Sequence, residues 1–331
     1  MKLFLGVDGG QSSTRMVLGD ERGVLLAHAK GGPSNHTEEP GGPERLRAVL
    51  QAMLKEILGG VGRGGQDRLS WAAACFGMTG ELAIKRQVIA PLIPAAELNV
   101  VHDSVIALEG ATAGSAGIIV MAGTGSVARG RNGEGAEFCV GGWGHAFGDE
   151  GSAYWIGRES VRAVLAEWDQ MGERTRLTSM LRDRLRIQSP HELIRRYYAG
   201  AFSREQLAGL AVWANEAAEA GDKVAQNIMS RAGLELGRLA NALAPRLLGE
   251  AADRGSRLMA GPQVYYSGGV FNSSAVLTSF TERVRAVYPA CQVSPPQLPP
   301  VLGALLLAYQ ASRTAVDDVL KTWPMQLKNL S

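Results

Sequence analysis

Residues 5–18 read Leu5-Gly6-Val7-Asp8-Gly9-Gly10-Gln11-Ser12-Ser13-Thr14-Arg15-Met16-Val17-Leu18. Apolar residues dominate both ends of this run, and two glycines and two serines stand between them. The pattern predicts two antiparallel strands joined by a tight turn. Asp8 ends the first strand, where a carboxylate can hold a hydrated Mg²⁺. Gly9 and Gly10 would let backbone amides approach phosphate groups, with the hydroxyls of Ser12 and Ser13 beside them. An ordinary glycine hairpin with a surface aspartate explains the same residues.

The composition of the 331-residue chain indicates two domains of ordinary size, with 46% hydrophobic residues to fill their cores. A net charge of +2 provides no electrostatic footprint for nucleic acid or for an anionic membrane. Cys75, Cys139 and Cys291 lie far apart, which argues against a disulfide framework and a Cys-x-x-Cys metal site. No apolar run is long enough to cross a bilayer, and Asp8 interrupts the first one, so we expect a cytoplasmic protein without a signal peptide.

Two further apolar runs in the first third of the chain predict strands that end in polar loops. Residues 71–76 lead into Gly77-Met78-Thr79-Gly80, and residues 98–101 lead into His102-Asp103-Ser104. Leucines, valines and methionines at helical spacing predict a helix over residues 43–58, between the hairpin and these strands. A loop that contains Ser34-Asn35-His36 precedes that helix. This order predicts an α/β sheet, in which ligands gather at the carboxyl ends of the strands.

The opening pattern recurs after residue 115. Residues 116–121 predict a strand, Gly123-Thr124-Gly125-Ser126 forms a turn of glycines and hydroxyls, and a return strand begins at Val127. Residues 263–267 predict a last strand that ends at Gly268-Gly269. We therefore expect two related α/β domains, residues 1–114 and 115–314, that face each other across a cleft. The amphipathic tail, residues 315–331, is expected to dock on the first domain.

Four motifs of the sequence resemble those of a known superfamily. Asp8-Gly9-Gly10-Gln11-Ser12, Gly123-Thr124-Gly125-Ser126 and Ser267-Gly268-Gly269-Val270 resemble the phosphate 1, phosphate 2 and adenosine motifs of the actin/hexokinase/Hsp70 ATPases. Gly141-Gly142-Trp143-Gly144-His145, followed by Gly148-Asp149-Glu150-Gly151-Ser152-Ala153-Tyr154-Trp155, is similar to the N-acetylglucosamine kinase branch of the BadF/BadG/BcrA/BcrD-type ATPases. The resemblance covers residues 3–160 and 263–310. It implies two ribonuclease H-like domains around a central cleft, and the use of ATP with Mg²⁺.

The resemblance also implies roles for individual residues. Asp8 would anchor the metal through water, and Asp103 would be the base near the 6-hydroxyl of an amino sugar. The implied nucleotide contacts are Gly9, Gly10, Ser12, Ser13, Gly123, Thr124, Gly125, Ser126, Gly268 and Gly269. The implied sugar contacts are Asn35, Thr79, Asp103, Gly142, Trp143, Gly144 and Asp149. The family's tendency to dimerise implies a homodimer.

Simpler roles are open for several of these side chains. Asp103 and Asp149 each precede a predicted helix and could cap it. Trp143 could belong to the core, although an indole between glycines also offers a flat wall to a sugar ring. His102 and His145 fit packing roles better than acid–base catalysis.

Other functions of the same superfamily remain as alternatives. The acceptor could be glucosamine instead of N-acetylglucosamine. A redox activator would carry an iron–sulfur cluster on closely placed cysteines, whereas Cys139 stands alone beside the glycine-rich motif. A sugar-sensing regulator would need a DNA-binding module, and no basic helix-turn-helix pattern precedes the first strand. A P-loop kinase is excluded because no Gly-Lys-Ser/Thr occurs, and no Gly-x-Gly-x-x-Gly follows a strand as in a Rossmann dehydrogenase.

Overall fold

The computed structural model describes residues 1–35, 37–61, 70–248 and 261–329. The chain divides into two compact units. The first unit comprises Met1–Ser115 and Pro296–Ser331, and the second comprises Ala116–Pro295. Across these described residues, no helix combines the length and the apolar character that crossing a membrane requires.

The first unit is built on a five-stranded mixed sheet in the order β3-β2-β1-β4-β5. Its strands are β1 (Lys2–Gly9), β2 (Thr14–Asp20), β3 (Leu25–Gly31), β4 (Ser70–Met78) and β5 (Glu97–His102). The first three strands form an antiparallel meander, in which Gly9 pairs with Thr14 across the glycine turn. β4 and β5 then continue the sheet parallel to β1. The predicted hairpin over residues 5–18 is thereby confirmed.

Helices cover both faces of this sheet. They are α1 (Gly42–Val61), α2 (Leu82–Ile89), α3 (Asp103–Thr112) and α10 (Pro300–Ala311). Successive residues of β1 point to opposite faces, so Leu5 packs in the core with α1 and α2, while Phe4 packs with α3 and α10. A Cβ on Gly6 would lie 2.5 Å from the backbone nitrogen of Leu305, which shows how closely α10 crosses β1.

The helix α10 belongs to a different unit from the one that we expected. We expected residues 300–314 in the second domain, yet α10 belongs to the first unit and packs on β1 and α3. Because α10 is apolar on most sides, its sequence pattern does not indicate which sheet it covers. Within the first unit, Tyr309 stacks on Phe4 with ring centroids 4.2 Å apart and donates its hydroxyl to the Asp20 carbonyl.

The chain after α10 forms two short helices, α11 (Asp317–Leu320) and α12 (Trp323–Asn329). The Trp323 indole is fully buried and donates to the Gly23 carbonyl at 2.8 Å. The Gln326 side chain accepts a hydrogen bond from the Leu25 amide at 2.9 Å. These contacts attach the end of the chain to the turn between β2 and β3, in the same unit.

The second unit repeats the plan of the first. Its strands are β6 (Gly117–Ala122), β7 (Ser126–Arg131), β8 (Glu137–Gly141), β9 (Gln263–Ser267) and β10 (Gln292–Ser294). β6, β7 and β8 form the antiparallel meander, and β9 and β10 add parallel strands beside β6. The sheet order β10-β9-β6-β7-β8 is therefore equivalent to that of the first unit. This symmetry confirms the predicted fold class of two related α/β domains.

Most helices of the second unit lie between β8 and β9 in the chain. They are α4 (Ala153–Trp168), α5 (Arg176–Leu185), α6 (Pro190–Tyr198), α7 (Arg204–Glu219) and α8 (Lys223–Leu248), followed after β9 by a 3₁₀ turn (Gly269–Asn272) and α9 (Ser274–Arg285). A capping box begins α7, with Ser203 and Gln206 exchanging side-chain and backbone hydrogen bonds. A Cβ on Gly233 would lie 2.3 Å from the Val276 carbonyl, so glycine permits the close packing of α8 on α9.

Candidate active site

The carboxyl ends of β1, β4 and β5 meet at one edge of the first sheet. Met78, at the end of β4, is level with His102 at the end of β5. Thr79 and Asp103 directly follow these two residues, and Asp8 is the last residue but one of the neighbouring β1. The parallel register therefore brings Asp8, Thr79 and Asp103 to a common edge, where ligands of such sheets bind.

The surroundings of Asp8 disfavour the charged form of its carboxyl group. Burial and, to a smaller extent, the nearby charge of Asp103 together raise the pKa of the carboxyl to about 6, against the opposing effect of Arg15. A cation at this carboxylate would relieve both effects. Within the described residues, no group of three or more acidic, histidine or cysteine side chains could hold a metal ion. A hydrated Mg²⁺ fits this donor set, because it needs only one or two carboxylates and keeps most of its water.

The first glycine turn is held in shape by backbone contacts. The Gly10 amide donates to the Ser13 carbonyl at 3.0 Å, and the Gly10 carbonyl accepts the Ser34 amide at 3.1 Å. A Cβ on Gly9 would lie 2.2 Å from the sulfur of Met78 and 2.7 Å from the Ser34 hydroxyl oxygen, so a larger residue would have to displace these side chains. The approach of these backbone amides to phosphate groups stays a prediction.

Polar side chains surround this turn. The Ser12 side chain is exposed, and the Gln11 Oε1 atom is buried without a hydrogen-bond partner among the described residues. Asn35 is half-buried and follows Ser34, which is bonded to the turn. Its neighbour His36 lies outside the described residues. The structure therefore places the predicted residues Ser12 and Asn35 near one turn.

Asp103 does not occupy the helix-capping position that we considered for it. The N-cap of α3 is His102, whose side chain makes no capping hydrogen bond, and Asp103 stands in the first helical turn. A carboxylate in the first turn is stabilised by the helix dipole. Asp103 is half-buried and its charge acts on Asp8, and its role as the base stays a prediction.

The loop after β4, which contains the predicted residue Thr79, is held by a lysine that sequence reasoning missed. The Thr79 amide donates to the Gly9 carbonyl at 3.2 Å, and the Lys85 ammonium donates to the Thr79 carbonyl. Lys85 is only 1% exposed, although it lies on the short helix α2. The Thr79 hydroxyl is buried and has no partner among the described residues.

The second glycine turn connects β6 and β7 in the second unit. The Gly123 amide donates to the Gly125 carbonyl at 3.0 Å, and the Tyr154 amide at the start of α4 donates to the Thr124 carbonyl at 3.3 Å. The Ser126 hydroxyl donates to the Glu150 carbonyl at 2.8 Å. The turn is therefore anchored to the loop before α4.

Asp149 is the main anchor of that loop. It is 4% exposed and adopts a φ of 63°, which non-glycine residues rarely do. Its Oδ1 accepts the Ser126 amide at 3.1 Å, and its Oδ2 accepts the guanidinium of Arg204 at 3.1 Å. The N-cap of α4 is Ser152, not Asp149. Both carboxylate oxygens thus have protein partners, and the sugar contact expected of Asp149 stays a prediction.

The turn after β9 lies beside the second glycine turn. Ser267 at the end of β9 is level with Met121 of β6. Gly268 has a φ of 106°, and a Cβ there would lie 2.3 Å from the Ala122 carbonyl. Apart from the adjoining residues, no atom of the described part of the chain lies within 4 Å of a Cβ built on Gly269, which leaves space over the turn. The predicted phosphate and adenosine motifs of this unit therefore share one edge of its sheet.

The Gly142-Trp143-Gly144 loop presents its aromatic residue to solvent. Gly142 and Gly144 have φ values of 74° and 82°, and Trp143 is 77% exposed. The alternative that Trp143 belongs to the core is therefore wrong. The His145 ring packs edge-on against Tyr154 with centroids 5.0 Å apart, which agrees with the packing role expected for it.

Comparison with known protein families identifies the family of this chain. The sequence model of the BadF/BadG/BcrA/BcrD ATPase family matches residues 5–308. The chain belongs to this ATPase family. Family membership confirms both the resemblance noted in the sequence and the predicted use of ATP.

Relatives of this ATPase with sequence similarity are named as amino-sugar kinases. The N-acetylmuramic acid/N-acetylglucosamine kinase of Clostridium acetobutylicum is 36% identical over 241 residues, which cover 71% of this chain and 77% of the relative. The N-acetyl-D-glucosamine kinase of Dictyostelium discoideum is 28% identical over 324 residues, which cover 94% and 99%.

Solved structures support the same fold. A candidate N-acetylglucosamine kinase from Chromobacterium violaceum has a TM-score of 0.72 and 25% identity, covering 93% of this chain and 99% of the other. A ROK family glucokinase from Streptomyces griseus, solved with glucose and AMPPNP, has a TM-score of 0.52 and 17% identity, covering 94% and 99%. At that identity, the glucokinase supports the fold alone.

Proposed function

We propose that this chain is an ATP-dependent amino-sugar kinase that phosphorylates the 6-hydroxyl of N-acetylglucosamine. The observation that carries this proposal is the meeting of Asp8, Thr79 and Asp103 at one sheet edge, beside a glycine turn of the phosphate-binding type. Phosphoryl transfer needs positioned phosphates, a metal ion and an oriented nucleophile, and these residues can supply all three.

The substrate class is supported by the names of the relatives. Two proteins that match most of this chain are named for N-acetylglucosamine, and one of them also for N-acetylmuramic acid. Asn35 offers an amide that can donate to and accept from sugar hydroxyls. Trp143, exposed between two glycines, offers an indole face to the ring or to the acetyl methyl group.

In the proposed mechanism, a carboxylate oxygen of Asp103 accepts the proton of the sugar 6-hydroxyl. The hydroxyl oxygen forms a bond to the γ-phosphorus of ATP as the bond from that phosphorus to the β-γ bridging oxygen breaks, and ADP leaves with the electron pair. A Mg²⁺ held through water by Asp8 would offset the charge of the phosphate oxygens. General base catalysis by Asp103 would contribute on the order of 10²–10⁴-fold.

The proposal assigns the nucleotide to the glycine turns. Gly9, Gly10 and the hydroxyls of Ser12 and Ser13 would contact phosphates from the first unit. The second unit would contribute the turn of Gly123, Thr124, Gly125 and Ser126, and the adenosine would lie over Gly268 and Gly269. The space over Gly269 supports this last assignment.

Two other acceptors belong in any test of substrate preference. Glucosamine carries a charged amine in place of the acetamide, and a pocket built for it would present a carboxylate at that position. N-acetylmuramic acid carries an additional carboxylate and appears in the name of the Clostridium relative. Each would leave the kinase assignment intact while changing the substrate.

The redox-activator alternative predicts an iron–sulfur cluster held by cysteines. Cys139 is exposed, whereas Cys75 and Cys291 are buried. Burial raises the pKa of the Cys75 thiol to about 12 and that of Cys291 to about 11, which disfavours the thiolate form that binds iron. Iron analysis of anaerobically purified protein separates the two functions, because the kinase should contain none.

The decisive experiment measures kcat/KM with MgATP for N-acetylglucosamine, N-acetylmuramic acid, glucosamine and glucose, and locates the phosphate in each product by NMR. We expect N-acetylglucosamine to be preferred and its 6-phosphate to form. A tenfold preference for glucosamine, about 1.4 kcal/mol, would contradict the substrate. No ADP release with any amino sugar would contradict the function. A homodimer and a cytoplasmic location stay predictions, the first of which size-exclusion chromatography with light scattering would test.

A further inference from the structure

The most unusual charged group of the first unit is Lys85. It is 1% exposed, and it ranks with the aromatic core residues among the largest fully buried side chains. An ammonium has three N–H donors, and Lys85 has one hydrogen bond among the described contacts, to the Thr79 carbonyl. Burying a charged group with incomplete pairing is unfavourable, so such a lysine calls for a functional explanation.

Lys85 is among the residues that hold the loop after β4 through hydrogen bonds. The Thr79 amide is bonded to the Gly9 carbonyl of the first glycine turn at 3.2 Å. The Glu81 amide is bonded to the Glu38 carboxylate at 3.1 Å. The Lys85 ammonium donates a further hydrogen bond to the Thr79 carbonyl. Both backbone polar groups of Thr79 are therefore engaged, and its buried hydroxyl is the polar group that stays unpartnered among the described residues.

The charge of Lys85 also acts on the proposed base. Burial lowers the pKa of Lys85, whereas Glu38 and Asp103 oppose that effect by attracting its positive charge. Glu38 is exposed, so water screens its share. Asp103 is repelled by Asp8, and Lys85 supplies the opposite charge on the same edge of the sheet.

We propose that Lys85 is a positioning residue for the acceptor sugar, because its ammonium holds the Thr79 loop and the Asp103 carboxylate in one arrangement. Thr79 would then direct its free hydroxyl to a sugar oxygen while Asp103 receives the proton of the reacting hydroxyl. Lys85 itself touches neither the nucleotide nor the reacting atoms in this arrangement. The inference rests on the proposed kinase function and adds the residue that organises its acceptor side.

A merely structural lysine would behave differently. If Lys85 only balanced Glu38 inside the fold, its removal would lower stability and reduce the amount of active protein, without changing the sugar kinetics of the folded fraction. A positioning role predicts a loss that is specific for sugar. It also predicts that Lys85 and Asp103 are coupled in kcat, so that at saturating sugar the removal of both lowers kcat little more than the removal of Asp103 alone.

The test uses Lys85→Met, which keeps most of the side-chain volume but neither the charge nor the donor, and Lys85→Gln, which keeps a donor without the charge. Lys55→Met, on the exposed face of α1, is the matched control. We expect kcat/KM for N-acetylglucosamine to fall at least 100-fold in Lys85→Met, while the KM for ATP stays within twofold. The kcat/KM of Lys85→Gln for N-acetylglucosamine should lie between the values of Lys85→Met and wild type.

Calorimetric titration with N-acetylglucosamine in the absence of ATP provides a readout besides activity, and Lys85→Met should bind at least tenfold more weakly. In the Asp103→Asn background, Lys85→Met should lower the residual kcat at saturating sugar less than threefold. A folded Lys85→Met enzyme whose sugar kinetics lie within threefold of wild type would overturn the inference.

Thr79→Val keeps the proposal testable if the Lys85 variants do not fold, because it removes the hydroxyl and keeps the carbonyl that Lys85 binds. It should raise the sugar KM about tenfold, and unchanged sugar kinetics in this variant would also overturn the inference. Wild-type protein that phosphorylates no amino sugar would refute the proposed function instead, so the two failures are distinguishable.

Discussion

The guanidinium of Arg204 and the carboxylate of Asp149 form an ion pair in which Nη2 and Oδ2 lie 3.1 Å apart, and the carboxylate is 4% exposed. The other oxygen of Asp149 accepts the Ser126 amide at 3.1 Å, within the turn proposed to bind phosphate. The pair thus connects the start of α7 to the second glycine turn. Arg204 thereby supports that turn without being part of the recognised motif.

Replacement of Arg204 by methionine should destabilise the protein by about 1–3 kcal/mol, because a buried carboxylate loses one of its partners. Urea unfolding at pH 7 measures this change. Arg238→Met is a suitable control, since Arg238 pairs with Glu235 at 3.0 Å but both lie on an accessible face of α8. That control should change stability by less than about 1 kcal/mol. Equal losses in the two variants would show that burial of Asp149 gives the pair no special weight.

Asp103→Asn should lower kcat by a factor on the order of 10² or more, because the amide cannot accept the hydroxyl proton. Binding of N-acetylglucosamine should change little, since the amide keeps the size and one acceptor of the carboxylate. Single-turnover kinetics and calorimetry measure the two quantities separately. Asp318→Asn, an exposed aspartate on α11 of the same unit, controls for the loss of one charge. A near-normal kcat in folded Asp103→Asn would remove Asp103 from the mechanism.

Asp8→Asn should stabilise the metal-free protein at neutral pH while abolishing activity. The carboxyl has a pKa of about 6 in the folded protein against 3.8 as a free side chain, so the folded state prefers its protonated form. That preference favours folding below about pH 4 and is lost as the pH rises through 6. The gain on substitution is therefore on the order of 3 kcal/mol at pH 7.5 and falls below about 1 kcal/mol at pH 4.

Urea unfolding in EDTA at several pH values measures this gain for Asp8. A gain that is the same at pH 4 and pH 7.5 would mean that charge is not its cause. Addition of Mg²⁺ and ATP should stabilise the wild-type protein more than Asp8→Asn, because a ligand that binds only the folded state raises its stability.

The local features of this fold could be predicted from sequence because they depend on neighbouring residues. The hairpin follows from the glycines of residues 9–10, and the predicted strand over residues 263–267 agrees with the observed β9 (Gln263–Ser267). β8 and β10 were not predicted because both are short; β8 pairs with its neighbour β7, whereas β10 forms by pairing with β9, from which α9 separates it in the chain. The packing of α10 on the first sheet is likewise a long-range property that its apolar sequence does not specify.

The candidate site shows the same limit. Glycines and aspartates at strand ends identified the turns, since their chemistry is recognisable in the sequence alone. Lys85 was missed because a lysine on a short helix is normally exposed, and its burial depends on the loops that cover α2. Arg204 was missed because its partner Asp149 is 55 residues away in the chain.

Substitution by alanine should lower stability at Gly268, whereas at Gly269 it should mainly affect the binding of ATP. Gly268→Ala should lower stability by at least about 3 kcal/mol, because its φ of 106° disfavours a side chain and its Cβ would lie 2.3 Å from the Ala122 carbonyl. Gly269→Ala meets no atom within 4 Å, so it should change stability by less than about 1 kcal/mol. The new methyl group would instead project into the space assigned to adenosine and raise the KM for ATP about tenfold, with the sugar KM unchanged. Thermal unfolding and kinetics with varied ATP test both residues, and a Gly269→Ala enzyme with the wild-type KM for ATP would contradict the assigned position of the nucleotide.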